Sequence, residues 1–208
     1  MTEKKIPFVG LHAHSVAGSI FDAIGYPNEH MDFCYENGGE ALALTDHGNM
    51  NGFSHQFLHW QKMQAEGKEF KPIFGVEAYF LPSIEEWRED YERIKEDKKL
   101  AKSLAKEGDT SGATVEDEEA SKKAIKSVVN RRRHLVLLAQ NQTGLSNLFK
   151  MISESYKEEN FYRYPRVDYK LLAKYSEGVI ASSACLGGPY AGNYWENREE
   201  GPEAVREA

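Results

Sequence analysis

The sequence predicts an α/β fold in which short strands alternate with helices around a mostly parallel sheet. Five short runs are rich in Val, Ile, Leu or aromatic residues, as buried strands are. Several of the stretches between them carry apolar residues at helical spacing. Hydrophobic residues make up 40% of the 208-residue chain, which is enough for a substantial core. Strands and helices that alternate at these lengths form βα units.

The predicted elements follow one another along the chain. The strand-like runs lie at residues 8–12, 41–45, 73–80, 135–139 and 178–182. The helical patterns lie at residues 28–37, 53–65 and 145–156. The first helical pattern ends at Gly38 and Gly39, a typical C-terminal stop. In the last, Leu145, Leu148 and Ile152 recur on one helical face.

One segment, at about residues 85–133, differs from the rest in composition. It holds 13 acidic and 13 basic side chains and few aromatic residues beyond Tyr91. Such a composition favours solvated structure over a packed core. We therefore predict a surface insertion that is helical at its ends and loose in its middle.

Composition excludes several classes of protein. The net charge of −7 argues against a protein that coats DNA with a basic surface. No uncharged apolar run approaches the ~20 residues that span a bilayer, and the first residues lack the apolar stretch of a signal peptide. Two cysteines cannot form a disulfide framework. These features predict a cytoplasmic location without a membrane partner.

Two histidines end the first strand-like run. Because His12 and His14 are two residues apart, both imidazoles point to the same side of an extended backbone. Two such rings can bind one metal ion. A His-x-His pair also occurs by chance on protein surfaces, so the pair alone is weak evidence.

Titratable residues also follow or interrupt the next strands. His47 comes directly after the second run, where α/β folds place ligand sites. Glu77 lies inside the apolar third run, where an unpaired carboxylate costs several kcal/mol to bury or its pKa rises. A divalent cation would explain this carboxylate. A salt bridge to a Lys or Arg elsewhere in the chain is the alternative.

Three further residues complete the candidate ligand set. His134 opens the fourth run, and Cys185 follows the fifth. A single Cys near a strand end is more often a small core residue, and Asp22 could equally cap a helix or a turn. Taken together, however, His, Glu and Cys donors beside five strands suit Zn²⁺, Mn²⁺ or Fe²⁺.

All of these donors except Asp22 lie in stretches that resemble the PHP (polymerase and histidinol phosphatase) domain of the bacterial replicative DNA polymerase III alpha subunit. In order, the stretches are LHAHS at 11–15, ALTDHGNMNG at 43–52, PIFGVEAY at 72–79, HLVLLA at 134–139, TGL at 143–145 and SSACLGG at 182–188. They extend over nearly the whole chain apart from residues 85–133. The long second and third stretches are typical of the polymerase branch rather than of the free-standing phosphatases.

The resemblance implies a fold and a ligand set. The fold is a PHP-type distorted (β/α)7 barrel with up to three divalent metals, zinc or manganese, at the C-terminal ends of its strands. The first metal would be held by His12 and His14. Glu77 would bridge to a second metal that His134 and Cys185 complete, and Asp22 and His47 would hold the third.

The resemblance also implies an activity. Glu77, His12 and His14 would act catalytically through the bound metals, which support phosphodiester hydrolysis, typically as a 3′–5′ exonuclease. The chain would then be part of a DNA-directed DNA polymerase, a nucleotidyltransferase of DNA replication. Its partners would be DNA, the remaining polymerase domains and other replisome subunits. The alternatives are a stand-alone PHP phosphoesterase acting on a small phosphate monoester, and a catalytically silent structural or interaction module.

Two features depart from the family pattern. The family's final Asp-x-His motif, which should serve the first and third metals, has no counterpart before residue 208. We therefore expect residues 1–208 to be the N-terminal part of a longer polymerase, with a barrel incomplete at its C-terminus and weakened metal sites. The other departure is His134, which precedes its strand. In a parallel sheet it would lie at the opposite end from the other ligands.

Arginines provide weaker candidates for nucleic-acid binding. Arg131, Arg132 and Arg133 could contact DNA phosphates or could balance the acidic residues at 116–119. Arg163 and Arg166 lie in an aromatic-rich stretch, as in proteins that bind single strands. Ordinary loop packing explains that stretch at least as well.

Overall fold

The computed structural model of the chain describes residues 8–106 and 115–203. The helices there are α1 (Pro27–Glu36), α2 (Phe53–Ala65), α3 (Ile84–Lys106), α4 (Val115–Asn130), α5 (Gln142–Ser155), α6 (Tyr169–Lys174) and α7 (Pro189–Asn197). The strands are β1 (Ala41–Leu44), β2 (Lys71–Phe80), β3 (Arg133–Ala139), β4 (Phe161–Tyr162), β5 (Tyr164–Val167) and β6 (Val179–Ser182). The three predicted helices and four of the five predicted strands are confirmed. None of the described helices has both the length and the apolar character needed to cross a lipid bilayer.

Strand β2 is the centre of a mixed sheet. Its first half pairs in parallel with β1, and its last two residues pair in parallel with β5. Its other edge pairs with β3, which runs antiparallel, and β6 pairs antiparallel with β3. Over the described residues this sheet does not close on itself. The structure thus confirms an α/β fold, built on a mixed sheet that is not closed into a barrel.

The predicted direction of β3 is wrong, and the charged segment explains why. Helices α3 and α4 lie antiparallel, since Trp87 near the start of α3 donates from its indole N–H to the carbonyl of Val128 near the end of α4, at 2.8 Å. A pair of helices that goes out and back returns the chain to the end of the sheet from which it left. A single crossover helix would instead carry the chain to the opposite end. Strand β3 therefore starts beside the end of β2, with Phe80 opposite Arg133.

The first predicted strand forms less regular structure than expected. Residues 8–12 run extended beside β1, but only Gly10 forms a bridge, with Leu42. The amide of Ala43 donates to the carbonyl of Gly10 at 2.7 Å, and the amide of Thr45 donates to that of Ala13 at 2.8 Å. These bonds fix the segment at the sheet edge and thereby place His12 and His14, which lie at its end.

The main core lies between the sheet and helices α3, α4 and α5. Its members are buried apolar residues, among them Val76, Ala78, Phe80, Trp87, Val128, Leu135, Leu137, Leu148 and Met151. Trp87 and Val128 show that the ends of the charged segment belong to this core, so the prediction of a mere surface insertion is wrong there. The helical prediction for those ends is confirmed. The middle of the segment, at 107–114, lies outside the described residues.

Side-chain caps fix the starts of two helices near the sheet. Asn141 precedes α5 and accepts the amide of Gly144 at 2.9 Å. Asp168 precedes α6, accepts the amide of Leu171 at 2.9 Å and also accepts the amide of Ile84 at 3.2 Å. Such caps satisfy amides that lack a partner within the helix. Asp168 therefore ties the start of α3 to α6.

Candidate metal centre

The candidate site surrounds the carboxylate of Glu77, near the C-terminal end of β2. Side chains alternate along a strand, so Gly75, Glu77 and Tyr79 face away from the main core that Val76 and Ala78 enter. The carboxylate is 0% exposed. The backbone amide of Glu77 donates to the carbonyl of Asp46 at 3.0 Å. Local strand geometry thus buries one acid within reach of the loops at this end of the sheet.

Four imidazoles and one thiol surround this carboxylate. Its Oε2 atom lies 3.0–3.1 Å from three ring nitrogens, those of His12 Nε2, His14 Nε2 and His47 Nδ1. Its Oε1 atom lies 2.6 Å from Nδ1 of His134 and 3.9 Å from Sγ of Cys185. The two oxygens of Glu77 therefore face two separate groups of donors.

His134 reaches the site because β3 runs antiparallel. The first residues of β3 lie beside the last residues of β2, and His134 is paired with Tyr79. Glu77 is paired with Val136, two residues further along β3 and therefore on the same face as His134. A position at the start of its strand would conflict with a parallel direction, but in the antiparallel strand it places His134 at the cluster.

Cys185 enters from the loop after β6. Its Sγ lies 3.6 Å from Nδ1 of His134, and the amide of Gly187 donates to the sulfur at 3.3 Å. Ala184 has a φ of 58°, an uncommon conformation for a residue with a side chain. Cys185 is exposed, so it is not the small core residue that its position near a strand end could also indicate. The loop therefore directs the thiol toward the cluster instead of burying it.

Asp22 and His47 form a pair at the edge of the cluster. Oδ2 of Asp22 lies 2.6 Å from Nε2 of His47, while Nδ1 of the same ring faces Glu77. The turn after His47 requires Gly48, which has a φ of 65° and whose added Cβ would lie 2.8 Å from Pro165 and 3.0 Å from Tyr79. The imidazole is thus held between two carboxylates by its own backbone turn.

Asp46 is a site residue that was not predicted from the sequence. It is buried and accepts the amide of Ser15 at 2.6 Å, the hydroxyl of Ser15 at 2.8 Å and the hydroxyl of Ser19 at 3.0 Å. These bonds hold the loop that connects His14 to Asp22. The available signal was a carboxylate directly after a buried strand, next to His47.

Asp46→Asn is expected to lower the free energy of unfolding by about 1–3 kcal/mol, because an amide cannot accept all three hydrogen bonds. Zinc affinity should fall about 10–100-fold, as it does when groups that orient metal ligands are altered. Thermal unfolding and competition with a zinc chelator measure the two effects. Asp32→Asn is a matched control, since Asp32 pairs with His59 at 2.8 Å and lies outside the cluster. Equal losses of zinc affinity in both variants would contradict the role of Asp46.

The protonation of the cluster follows from these contacts. Burial acts to raise the pKa of Glu77, but contacts with His134, His14, His47 and His12 outweigh it and hold the pKa far below its usual range. Contact with Glu77 raises the pKa of His47 despite burial, and the charge of Asp22 adds to this. Glu77 is therefore ionised.

The donor separations fit divalent cations. Zinc binds nitrogen and oxygen at about 2.0–2.1 Å, so neighbouring ligands of one tetrahedral ion are about 3.3–3.4 Å apart. The Oε2 contacts of Glu77, at 3.0–3.1 Å, lie within a few tenths of an ångström of this separation. Zinc–sulfur bonds of about 2.3 Å place a thiolate about 3.6 Å from a neighbouring nitrogen, and the sulfur of Cys185 lies 3.6 Å from His134.

Hydrogen-bond geometry also favours a shared cation. Nδ1 of His47 is buried and 3.0 Å from Oε2 of Glu77, yet it forms no hydrogen bond in the described part of the chain. Two triads of ligand atoms each lie within 4.8 Å of one another, His12–His14–Glu77 and His47–Glu77–His134. A ring nitrogen that lies close to a carboxylate oxygen without forming an N–H···O hydrogen bond is the arrangement expected when both atoms bind one metal ion.

The five candidate arginines are placed very differently. Arg166 is 0% exposed, so its predicted contact with nucleic acid is corrected. Its guanidinium donates to the carbonyls of Val129, Tyr162 and Tyr164, and burial, together with the charge of Arg132, lowers its pKa to about 10. Arg163 is exposed, on a left-handed turn with a φ of 60°. The three arginines at 131–133 lie between α4 and the start of β3.

Comparison with known proteins identifies the family to which the chain belongs. The family model for the PHP domain matches residues 10–208. DNA polymerase III subunit alpha of Aquifex aeolicus is 35% identical over 181 residues, which cover 87% of this chain and 12% of the relative. The Treponema pallidum protein of the same name is 34% identical over 189 residues, which cover 89% of this chain and 12% of the relative. The Campylobacter jejuni protein of that name is 32% identical over 208 residues, which cover 97% of this chain and 14% of the relative.

The chain thus spans only about an eighth of the length of the first two of these relatives. The matched range includes the segments that carry every candidate ligand from His12 to Cys185. By the extent of the family match and by identities above 30% with several relatives, the chain belongs to the PHP domain family.

Proposed function

We propose that this chain is the PHP domain of a DNA polymerase III alpha-like subunit and that it hydrolyses phosphodiester bonds with bound divalent metals, as a 3′–5′ exonuclease. The observation that carries the proposal is the convergence of four imidazoles and a thiol on the buried carboxylate of Glu77. The names of the relatives support the link to DNA synthesis.

The donor set divides among three positions. His12 and His14 would hold one ion with Oε2 of Glu77, and His134 and Cys185 a second with Oε1. Asp22 and His47 would hold a third. Nitrogen, sulfur and carboxylate donors suit zinc or manganese. Bound divalent cations would polarise a phosphoryl oxygen, make a nucleophile available at neutral pH and stabilise the leaving oxygen.

The protein's own residues prepare this chemistry. Glu77 remains ionised because its pKa is held far below its usual range, so it offers two anionic oxygens at once. Asp22 orients the ring of His47, and Asp46 fixes the loop that presents His14. The imidazole side chains are 17–26% exposed, so a substrate can reach the cluster from solvent. The site is thus ordered before a substrate arrives.

The proposed setting is DNA replication in the cytoplasm. DNA would be the substrate, and the remaining polymerase domains and other replisome subunits would be the protein partners. The net charge of −7 provides little general attraction for DNA. We therefore expect those other domains to contribute most of the DNA affinity.

A metal-dependent assay tests the proposal. The chain, loaded with Mn²⁺ or Zn²⁺, is incubated with single-stranded DNA labelled at its 5′ end and, separately, with p-nitrophenyl phosphate. Stepwise shortening from the 3′ end that stops on addition of a chelator is the expected result. Bound metal is measured in parallel by mass spectrometry, for the wild type and for Glu77→Gln.

The outcomes separate the three candidate functions. Faster turnover of the monoester than of DNA would indicate a stand-alone phosphoesterase instead. Bound metal without either activity would indicate a structural module. The cluster around Glu77 joins several segments of the chain, as expected of a structural metal site. Digestion that persists in Glu77→Gln would exclude this cluster as its source.

A further inference from the structure

Three consecutive arginines next to the cluster differ in how their charges are balanced. Arg131 forms an ion pair with Asp90 at 2.8 Å, and Arg133 forms one with Glu196. Among the carboxylates whose side chains the structure describes, none lies at ion-pair distance from Arg132. The middle arginine is thus the one whose charge remains available to an anion.

Two tyrosine rings hold the Arg132 side chain in place. Its guanidinium carbon lies 3.9 Å from the ring centroid of Tyr164 and 5.1 Å from that of Tyr79. One terminal nitrogen donates to the carbonyl of Asn130 at 3.0 Å, while its Nε is buried and has no hydrogen-bond partner in the described ranges. Stacking on aromatic rings orients a guanidinium without neutralising its positive charge.

Arg132 lies at the rim of the metal cluster. It precedes His134 by two residues, and the Tyr79 ring that it stacks against also lies 5.7 Å from the ring of His134 and 5.9 Å from that of His47. Arg132 also lines an open cleft of about 640 Å³, so it can be reached from solvent, and none of the cluster ligands lines that cleft. An anion that contacts Arg132 would therefore lie one aromatic ring, that of Tyr79, away from what the cluster binds.

We propose that Arg132 binds a phosphate group of a nucleic-acid strand, adjacent to the phosphate that the metal cluster would hold. The inference rests on the proposed function for the identity of that neighbouring phosphate. A planar guanidinium with free donors matches phosphate oxygens. A substrate with several phosphates engages both Arg132 and the cluster, whereas a single-phosphate ester engages only the cluster. Arg132 is thus a positioning residue that favours a strand over a small ester.

Binding measurements test this inference without requiring hydrolysis. Fluorescence anisotropy with a labelled, single-stranded phosphorothioate oligonucleotide, in the presence of zinc, gives the Kd as a function of salt concentration. Arg132→Gln should weaken binding about 10-fold and reduce the slope of log Kd against log salt by about 0.7, the value for one lost phosphate contact on a single strand. Arg132→Lys, which keeps the charge, should keep the wild-type slope.

Two controls isolate the contact. Arg93→Gln also removes one positive charge, from an exposed arginine that is paired with Asp90, and should change neither the Kd nor its salt dependence. Thymidine 5′-monophosphate, a competitor with one phosphate, should bind Arg132→Gln and the wild type equally. Thermal unfolding of each variant identifies any loss of fold.

Specific outcomes would overturn the inference. It fails if Arg132→Gln keeps the wild-type slope, if Arg132→Lys loses it, or if the nucleotide and the oligonucleotide are weakened equally. Wild-type protein that does not bind the oligonucleotide would overturn both the inference and the proposed DNA substrate. A reduced slope in Arg132→Gln, combined with absent hydrolysis by the wild type, would support the contact and contradict only the proposed activity.

Discussion

Glu77→Gln is expected to remove bound metal from the chain and to lower metal-dependent phosphodiester hydrolysis by about 100-fold or more. The substitution keeps the size of the side chain but replaces two anionic oxygens with one neutral oxygen and an N–H donor. Both groups of donors lose their shared anionic ligand, since each oxygen of Glu77 faces a different group. Metal analysis by mass spectrometry and the DNA digestion assay measure the two losses.

Glu154→Gln is the matched control for this variant. Its carboxylate accepts hydrogen bonds from Lys174 and Tyr175, which hold the pKa of Glu154 below its usual range, but it lies outside the cluster. It should retain metal and activity. Metal content in Glu77→Gln equal to that of the control would show that the ions bind elsewhere.

Arg166→Met is expected to lower the free energy of unfolding by about 3–5 kcal/mol, because three carbonyls lose a hydrogen bond at a cost of about 1–1.5 kcal/mol each. The buried guanidinium donates to the carbonyl of Val129 at 2.6 Å and to those of Tyr162 and Tyr164 at 2.8 and 3.1 Å. It also stacks on Trp87 at 3.8 Å. Methionine fills the space but leaves three carbonyls without their donor.

For a chain of this length the loss corresponds to a decrease of about 10 °C in Tm, measured by circular dichroism. Arg163→Gln changes a nearby but exposed arginine and should alter Tm little. A Tm for Arg166→Met within the error of that control would contradict the structural role. Arg166 would then need another explanation for its burial.

Much of the candidate site was predictable because its signals are local. The i,i+2 spacing of His12 and His14 fixes their common direction on an extended backbone, and both contact Glu77. A carboxylate within an apolar strand indicates a buried charge that needs partners, and Glu77 has them. His47 follows a strand end and lies at the cluster. These inferences need only the strand period and the cost of burying charge.

The direction of β3 could not be predicted because it depends on contacts distant in sequence. It follows from the packing of Trp87 against Val128, which are 41 residues apart and lie in a segment whose composition indicates solvent exposure. The roles of the arginines also depend on contacts that are distant in sequence. Arg132 and Arg166 look alike in sequence, yet one lines a cleft and the other lies in the core. Burial, not residue type, separates them.

The antiparallel pairing of α3 with α4 has a consequence for variation in chain length. Because the two helices leave and re-enter the sheet at the same end, adding equal numbers of turns to both would extend the pair outward while His134 stays in register with Tyr79. The entropic cost of a longer excursion grows only logarithmically with its length. An odd number of crossover helices would instead reverse the strand and remove an imidazole from the cluster. This part of the fold can therefore accept large insertions, provided that the chain returns to the end of the sheet where it began.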